Sequence, residues 1–80
     1  MTDEALRILL AVQDRRLFRN KRGRFEIDRE IPPDRKTREQ LRRDGLIVAV
    51  YGNDGYRLTA TGQGAIKSEL YRRRRVKAKR

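Results

Sequence analysis

From Asp34 to Gly62 the chain reads DRKTREQLRRDGLIVAVYGNDGYRLTATG, and this stretch decides the fold. Immediately before it stands Ile31-Pro32-Pro33. A residue that precedes proline is pushed to extended geometry, so Ile31 and Pro32 cannot be helical, whereas Pro33 can open a helix. A helix is therefore predicted over 33–44, stopped by Gly45 as a left-handed C-terminal cap. With Leu41 placed at the core, a rotation of about 100° per residue puts Asp34, Thr37 and Gly45 beside it and Arg35, Lys36, Glu39 and Arg43 opposite. The helix has almost no apolar face, and its outward side is largely cationic. The apolar and β-branched run Leu46–Tyr51, the turn residues Gly52-Asn53-Asp54-Gly55 and the alternating Tyr56-Arg57-Leu58-Thr59 predict a hairpin over 46–59. Alternation groups Leu46, Val48 and Val50 on one face of its first strand and Tyr56 and Leu58 on one face of its second. Those faces are expected to close over the helices.

Upstream, Leu6, Leu9, Leu10 and Leu17 recur at helical spacing and predict a first helix from Asp3 to near Phe18. Thr2 is placed to cap it, with Asp3 and Glu4 in the first turn, where the helix dipole favours negative charge. Asn20-Lys21-Arg22-Gly23 breaks the helix, and Arg24-Phe25-Glu26-Ile27-Asp28 alternates as a short edge strand does. Downstream, Thr59 or Thr61 caps a last helix holding Ala65, Ile66, Glu69, Leu70 and Tyr71, followed by an almost wholly basic run, Arg72 to Arg80. The expected class is α+β, in the order α-β-α-β-β-α: one domain over 1–75 and a basic flexible tail over 76–80.

Composition limits the chemistry. The chain has 80 residues, 36% hydrophobic and 41% charged, with 22 Lys plus Arg against 11 Asp plus Glu, a formal net charge of +11. That imbalance calls for a polyanion, and phosphate backbones are the commonest one. Neither cysteine nor histidine is present, which removes thiolate nucleophiles, the commonest metal ligand and the commonest general base. Most acids are sequence neighbours of cations, as in Asp14-Arg15, Asp34-Arg35 and Arg43-Asp44, and read as ion pairs. No catalytic residue, metal or cofactor is expected. The longest apolar run, Leu46–Tyr51, is far too short to span a bilayer, and Met1-Thr2-Asp3-Glu4 opens with acids where a secretory signal is basic. The expectation is a cytoplasmic, nucleoid-associated location without membrane contact.

The segment Leu41-Arg42-Arg43-Asp44-Gly45-Leu46-Ile47, a variable hairpin, then Tyr56-Arg57-Leu58-Thr59-Ala60-Thr61-Gly62 resembles the recognition-helix and wing portion of winged helix-turn-helix regulators. The multiple-antibiotic-resistance and phenolic-acid-repressor families share this pattern: a leucine in the helix, a glycine ending it, an apolar pair opening the strand, then a wing returning through Leu-Thr and a glycine. The match covers roughly Asp34 to Gly64. It implies a winged-helix fold in which Arg35, Lys36, Arg38, Glu39, Arg42 and Arg43 occupy the helix that approaches DNA, with Asn53, Asp54 and Arg57 in the wing. One element departs from the families. A usual member has a separate short positioning helix before the recognition helix, whereas here only Ile27 to Pro33 is available and Pro32-Pro33 interrupts it.

The physical reading converges on the same partner. A helix fits the major groove, where Arg makes bidentate contacts to guanine while other cations grip phosphates. The tail residues Arg72, Arg73, Arg74, Arg75 and Lys77, and the linker cluster Arg15, Arg16, Arg19, Lys21, Arg22 and Arg24, add basic blocks for nonspecific affinity. Phe25 and Tyr56 fall at periodic positions that a small core needs. The expected function is sequence-specific or architectural binding of double-stranded DNA, in the manner of a transcriptional regulator, by a protein that is not an enzyme. The alternatives are RNA or ribosome binding and a protein-interaction module for an acidic partner. Ile66 and Leu70, continued by Val76, form a stripe on the last helix that either packs on the first helix or pairs two subunits as a homodimer.

Overall fold

The computed structural model describes residues 1–50 and 55–78, with side chains placed through Arg75. The first helix, α1 (Asp3–Gln13), opens as the sequence requires: the Thr2 hydroxyl oxygen accepts the Ala5 N–H at 3.1 Å, and Asp3 and Glu4 fill the first turn. It ends earlier than its apolar spacing implies. Arg15 takes a left-handed backbone (φ 58°), the Arg16 N–H donates to the Ala11 carbonyl (2.8 Å) and the Arg15 N–H to the Val12 carbonyl (3.2 Å). These two bonds form a Schellman stop in which an arginine holds the position usually given to glycine.

Ending α1 there frees Leu17–Arg19 to form strand β1, which pairs antiparallel with β2 (Phe25–Ile27) in the register Leu17↔Ile27, Phe18↔Glu26, Arg19↔Phe25. The expected extension of the first helix to Phe18 is thereby corrected, and the lone edge strand becomes half of a hairpin. Its turn is tightly held. The Asn20 side-chain oxygen accepts the N–H groups of Arg22 (2.9 Å) and Arg24 (3.0 Å), the Asn20 N–H donates to the Arg24 carbonyl (2.7 Å), and Gly23 takes φ +79°.

The second helix, α2 (Arg35–Arg43), has Asp34 as its N-cap, accepting the Thr37 N–H at 3.0 Å and the Thr37 hydroxyl at 2.8 Å. The Thr37 hydroxyl first, then its N–H, hold the Asp34 carboxyl below its ordinary range. At the other end Gly45 lies at φ +76°, its N–H bonding the Arg42 carbonyl (3.1 Å) while the Leu46 N–H reaches the Leu41 carbonyl (3.0 Å). A second Schellman stop results, here with the expected glycine.

Strands β3 (Ile47–Ala49) and β4 (Tyr56–Leu58) pair as Ile47↔Leu58, Val48↔Arg57 and Ala49↔Tyr56. The inward face of β3 is the opposite of the one expected: Ile47 is 2% exposed, whereas Val48 and Val50 are 41% and 37% exposed. Leu46 is engaged in the helix stop, so the strand proper starts one residue later. Ile47 then lies opposite Leu58 and enters the core.

The last helix, α3 (Ala60–Ala78), is capped by Thr59, whose hydroxyl oxygen accepts the Gly62 N–H at 3.0 Å. The same oxygen lies 2.6 Å from the Gly45 carbonyl oxygen and 3.0 Å from that of Leu46, and the Thr59 N–H donates to the Leu46 carbonyl at 3.1 Å. The end of α2, the start of β3 and the start of α3 therefore meet at one point. The helix continues through Ala78, into the stretch read as a basic tail.

The described residues thus form an α+β fold of three helices and two antiparallel hairpins, in the order α-β-β-α-β-β-α; the expected α-β-α-β-β-α lacks β1. Its core is built around α1, which contributes Ala5, Ile8, Leu9, Ala11 and Val12 to a cluster completed by Leu17, Ile27, Leu41, Ile47 and Ile66. Among the described residues no helix is long and apolar enough to cross a membrane.

One buried acid ties α3 to its own arginines. Glu69 is 6% exposed and accepts from Arg72 Nη2 at 2.6 Å and from Arg73 Nε at 2.8 Å, while Arg73 also pairs with Asp3 of α1 at 2.7 Å. These bonds, Arg72's first, draw the Glu69 carboxyl from its usual 4.5 down to about 2. A folded value below the unfolded one means that Glu69 contributes stability above about pH 4.5 and loses it as pH falls toward 2. Urea midpoints of the parent and of Glu69→Gln are expected to differ at neutral pH and to converge in acid; a gap of constant width would contradict the assignment.

Candidate nucleic-acid interface

The acids of the described residues are unevenly used, and their use sorts the cations into two sets. On one side of the molecule Arg7 bonds Glu4 (2.7 and 2.9 Å), the Ile31 carbonyl (2.8 Å) and the Pro32 carbonyl (3.2 Å), and pairs with Glu30 at 3.4 Å. Glu4 also accepts the Asp34 N–H at 2.8 Å, and Arg16 pairs with Glu30. Arg7, then the Asp34 N–H, hold the Glu4 carboxyl below its ordinary range; Arg16, then Arg7, do the same for Glu30. A surface depression of about 870 Å³ lies over this cluster, where Arg7 is bonded to Glu4 and Glu30. The cluster is a clamp that fastens the 28–34 segment to α1 and sets where α2 begins.

The second set of cations lies around α2. Leu41 is the one buried side chain of this helix; Thr37, Arg38 and Glu39 are half-buried, and Arg35, Lys36, Arg42 and Arg43 are exposed. Arg35, Arg38 and Arg42, spaced i, i+3 and i+7, follow one flank. Lys36 and Arg43 lie on the side opposite the core; Lys36, Arg42 and Arg43 are exposed, and no ion pair among the described residues includes any of these three. Arg35, with a side chain 82% exposed, pairs with Glu39 at 3.4 Å. Glu39 therefore neutralises one cation of the face on which it was expected to make a contact of its own.

Arg38 is held by both hairpins. Its Nη1 donates to the Tyr56 hydroxyl at 2.7 Å, and its guanidinium carbon lies 4.3 Å from the Phe25 ring centroid and 5.9 Å from that of Tyr56. The two rings stand 5.0 Å apart, tilted by 33°. Arg19, directly across the strand pair from Phe25, adds its guanidinium at 4.8 Å from the same ring. Phe25 and Tyr56 pack on the core, as their periodic positions imply, and their ring faces become a platform for two arginines.

The remaining expected contacts are dispersed. Arg57 is exposed on the outer face of the β3–β4 hairpin, opposite Val48. Arg72 and Arg73 serve Glu69, whereas Arg74 and Arg75 are exposed. Asn53, Asp54 and the side chains of Val76 and Lys77 lie outside the described residues. On α3 Ile66 is buried in the core of its own chain, while Leu70 and Tyr71 are 42% and 68% exposed. The basic cluster of residues 15–24 was visible in the sequence. Its arrangement as a hairpin beside α2 was not, because no local signal pairs Arg19 with Phe25. No protein-family model, curated protein or solved structure matches the chain.

Proposed function

We propose that this chain is a double-stranded-DNA-binding domain of winged-helix type, serving transcription as a sequence-specific or architectural regulator. In this reading α2 is the element laid against the duplex and the β3–β4 hairpin is its wing. One observation carries it: a short helix, fastened at both ends, presents Lys36, Arg42 and Arg43 to solvent without ion-pair partners among the described residues, and Arg35 and Arg38 border them. A helix fits the major groove, and arginine at its surface serves both guanine edges and phosphates. The rigid setting favours the reading because the capped and Schellman-terminated helix needs no ordering before contact.

The test is fluorescence anisotropy of a labelled duplex titrated with the parent protein and with Arg42→Ala/Arg43→Ala, at a series of potassium chloride concentrations. Each lost phosphate contact flattens the slope of log K against log salt by about 0.9. The double variant is expected to bind more weakly and with a shallower slope, while its circular dichroism stays that of the parent. An unchanged affinity and slope would refute the role of α2. A tenfold or greater preference for an RNA hairpin in direct competition would move the assignment from DNA to RNA.

A further inference from the structure

We infer that the β1–β2 hairpin is a second wing, placing Arg19, Lys21, Arg22 and Arg24 on the phosphate backbone of the same duplex that α2 contacts. This rests on the proposal that α2 meets duplex DNA, and adds an element that reading does not use. Three observations carry it.

The first is position. Arg38 of α2 lies over Phe25 of β2 and bonds Tyr56 of β4, so the flank of α2 that carries Arg35, Arg38 and Arg42 adjoins both hairpins. The hairpins also touch each other: a Cβ added at Gly55 would stand 3.0 Å from the Leu17 carbonyl oxygen of β1. The arginine flank of α2 and the base of each hairpin are thus neighbours on one surface.

The second is charge. Arg19, Lys21, Arg22 and Arg24 are exposed, and no ion pair among the described residues includes any of them. Glu26, the acid nearest in sequence, accepts from Asn20 Nδ2 at 3.2 Å. The contrast with Arg7 and Arg16 is informative, because those two are tied to Glu4 and Glu30 and hold the fold together. Four like charges on one short hairpin repel one another, and regularly spaced phosphates offset that repulsion without needing a pocket.

The third is rigidity. The Asn20 side chain fixes the turn through two backbone N–H groups, and Gly23 supplies the left-handed residue that closes it. A turn built this firmly presents its cations in a fixed arrangement rather than as a loose tail. It stands in the chain between α1 and α2, and it supplies lateral support to α2 through the Phe25–Arg38 stack.

The test compares three proteins on one labelled duplex across a salt series: the parent, Lys21→Ala/Arg22→Ala in the turn, and Arg42→Ala/Arg43→Ala in α2. Neither turn side chain takes part in the Asn20 bonds, so the turn variant keeps its fold, which a thermal melt verifies. If both hairpin cations meet phosphates, the salt slope falls by about 2 units, twice 0.9, and affinity at moderate salt falls at least tenfold. A turn variant with the parent's slope and affinity, alongside a weakened α2 variant, overturns the second wing and leaves the α2 reading standing. A weakened turn variant alongside an unaffected α2 variant supports the hairpin as a duplex contact and overturns the role of α2. A parent that does not bind duplex DNA even at low salt overturns both.

Discussion

Gly62→Ala is expected to remove about 3 kcal/mol or more of stability, enough to leave a domain of this size largely unfolded at moderate urea. A Cβ at position 62 would stand 2.1 Å from the Leu46 carbonyl oxygen, 2.9 Å from Leu58 Cδ1 and 3.0 Å from the Leu46 carbonyl carbon. The leucine methyl can turn aside, but the carbonyl cannot. Its oxygen accepts the Thr59 N–H and lies at hydrogen-bond distance from the Thr59 hydroxyl, and the N–H of the same residue completes the stop of α2. Relieving the clash means moving α3 away by more than 1 Å or breaking that junction, and either outcome strips bonds from three elements. Two residues on, Gly64 has open space where a Cβ would go. Gly64→Ala, in the same helix, is expected to stabilise by up to about 1 kcal/mol, because alanine has the better helix propensity. Urea melts of the two variants should therefore move in opposite directions. Equal shifts would mean that α3 does not approach Leu46 as described.

The second large effect is expected at Ile8. This side chain is 0% exposed at the centre of α1, within the cluster shared by both hairpins and both other helices. Ile8→Ala removes three buried carbons and leaves a cavity, at a cost of about 2–5 kcal/mol. Ile31→Ala is the comparison: Ile31 is 78% exposed, and its truncation is expected to change stability by less than about 0.5 kcal/mol. Chemical denaturation monitored by circular dichroism reads both, and a loss at Ile31 comparable to that at Ile8 would contradict the burial assigned to them.

What sequence reasoning could and could not see follows from where the signals lie. The end of α2 was legible because Gly45 acts locally as a left-handed stop, whereas its start was placed too early: Pro33 does not open the helix, which begins at Arg35 after the Asp34 cap. The β3–β4 hairpin was legible through signals equally local. The end of α1 was not. Its stop uses Arg15 in a left-handed conformation, which costs about 1 kcal/mol in an ordinary L-residue and leaves no glycine to mark it. Leu17 then misled, since a core position seven residues after Leu10 is buried either as the next turn of a helix or, as here, in a strand. Missing that stop hid β1 and with it the first hairpin. The inward face of β3 was inverted because Leu46 closes the preceding helix rather than opening the strand, a shift of one residue that turns every side chain over.

At the candidate interface the inventory of cations was legible, but their division into paired and unpaired sets was not. That division depends on contacts such as Arg7 with Glu30, Arg73 with Asp3 and Arg38 with Tyr56, which join residues far apart in the chain. A run of arginines looks uniform on paper, although in space some are mortar and others face outward.

The junction at Leu46 has a mechanical consequence. One residue, Leu46, serves the stop of α2 through its N–H and anchors Thr59 through its oxygen, so the arginine-bearing helix and the long terminal helix are fastened to the same point of the backbone. In the proposed reading, α2 would surrender chiefly side-chain rotamer freedom on contact, roughly 0.5–1.5 kcal/mol for each long chain immobilised. A substitution that shifts the Leu46 backbone is therefore expected to disturb the placement of α2 and of α3 together.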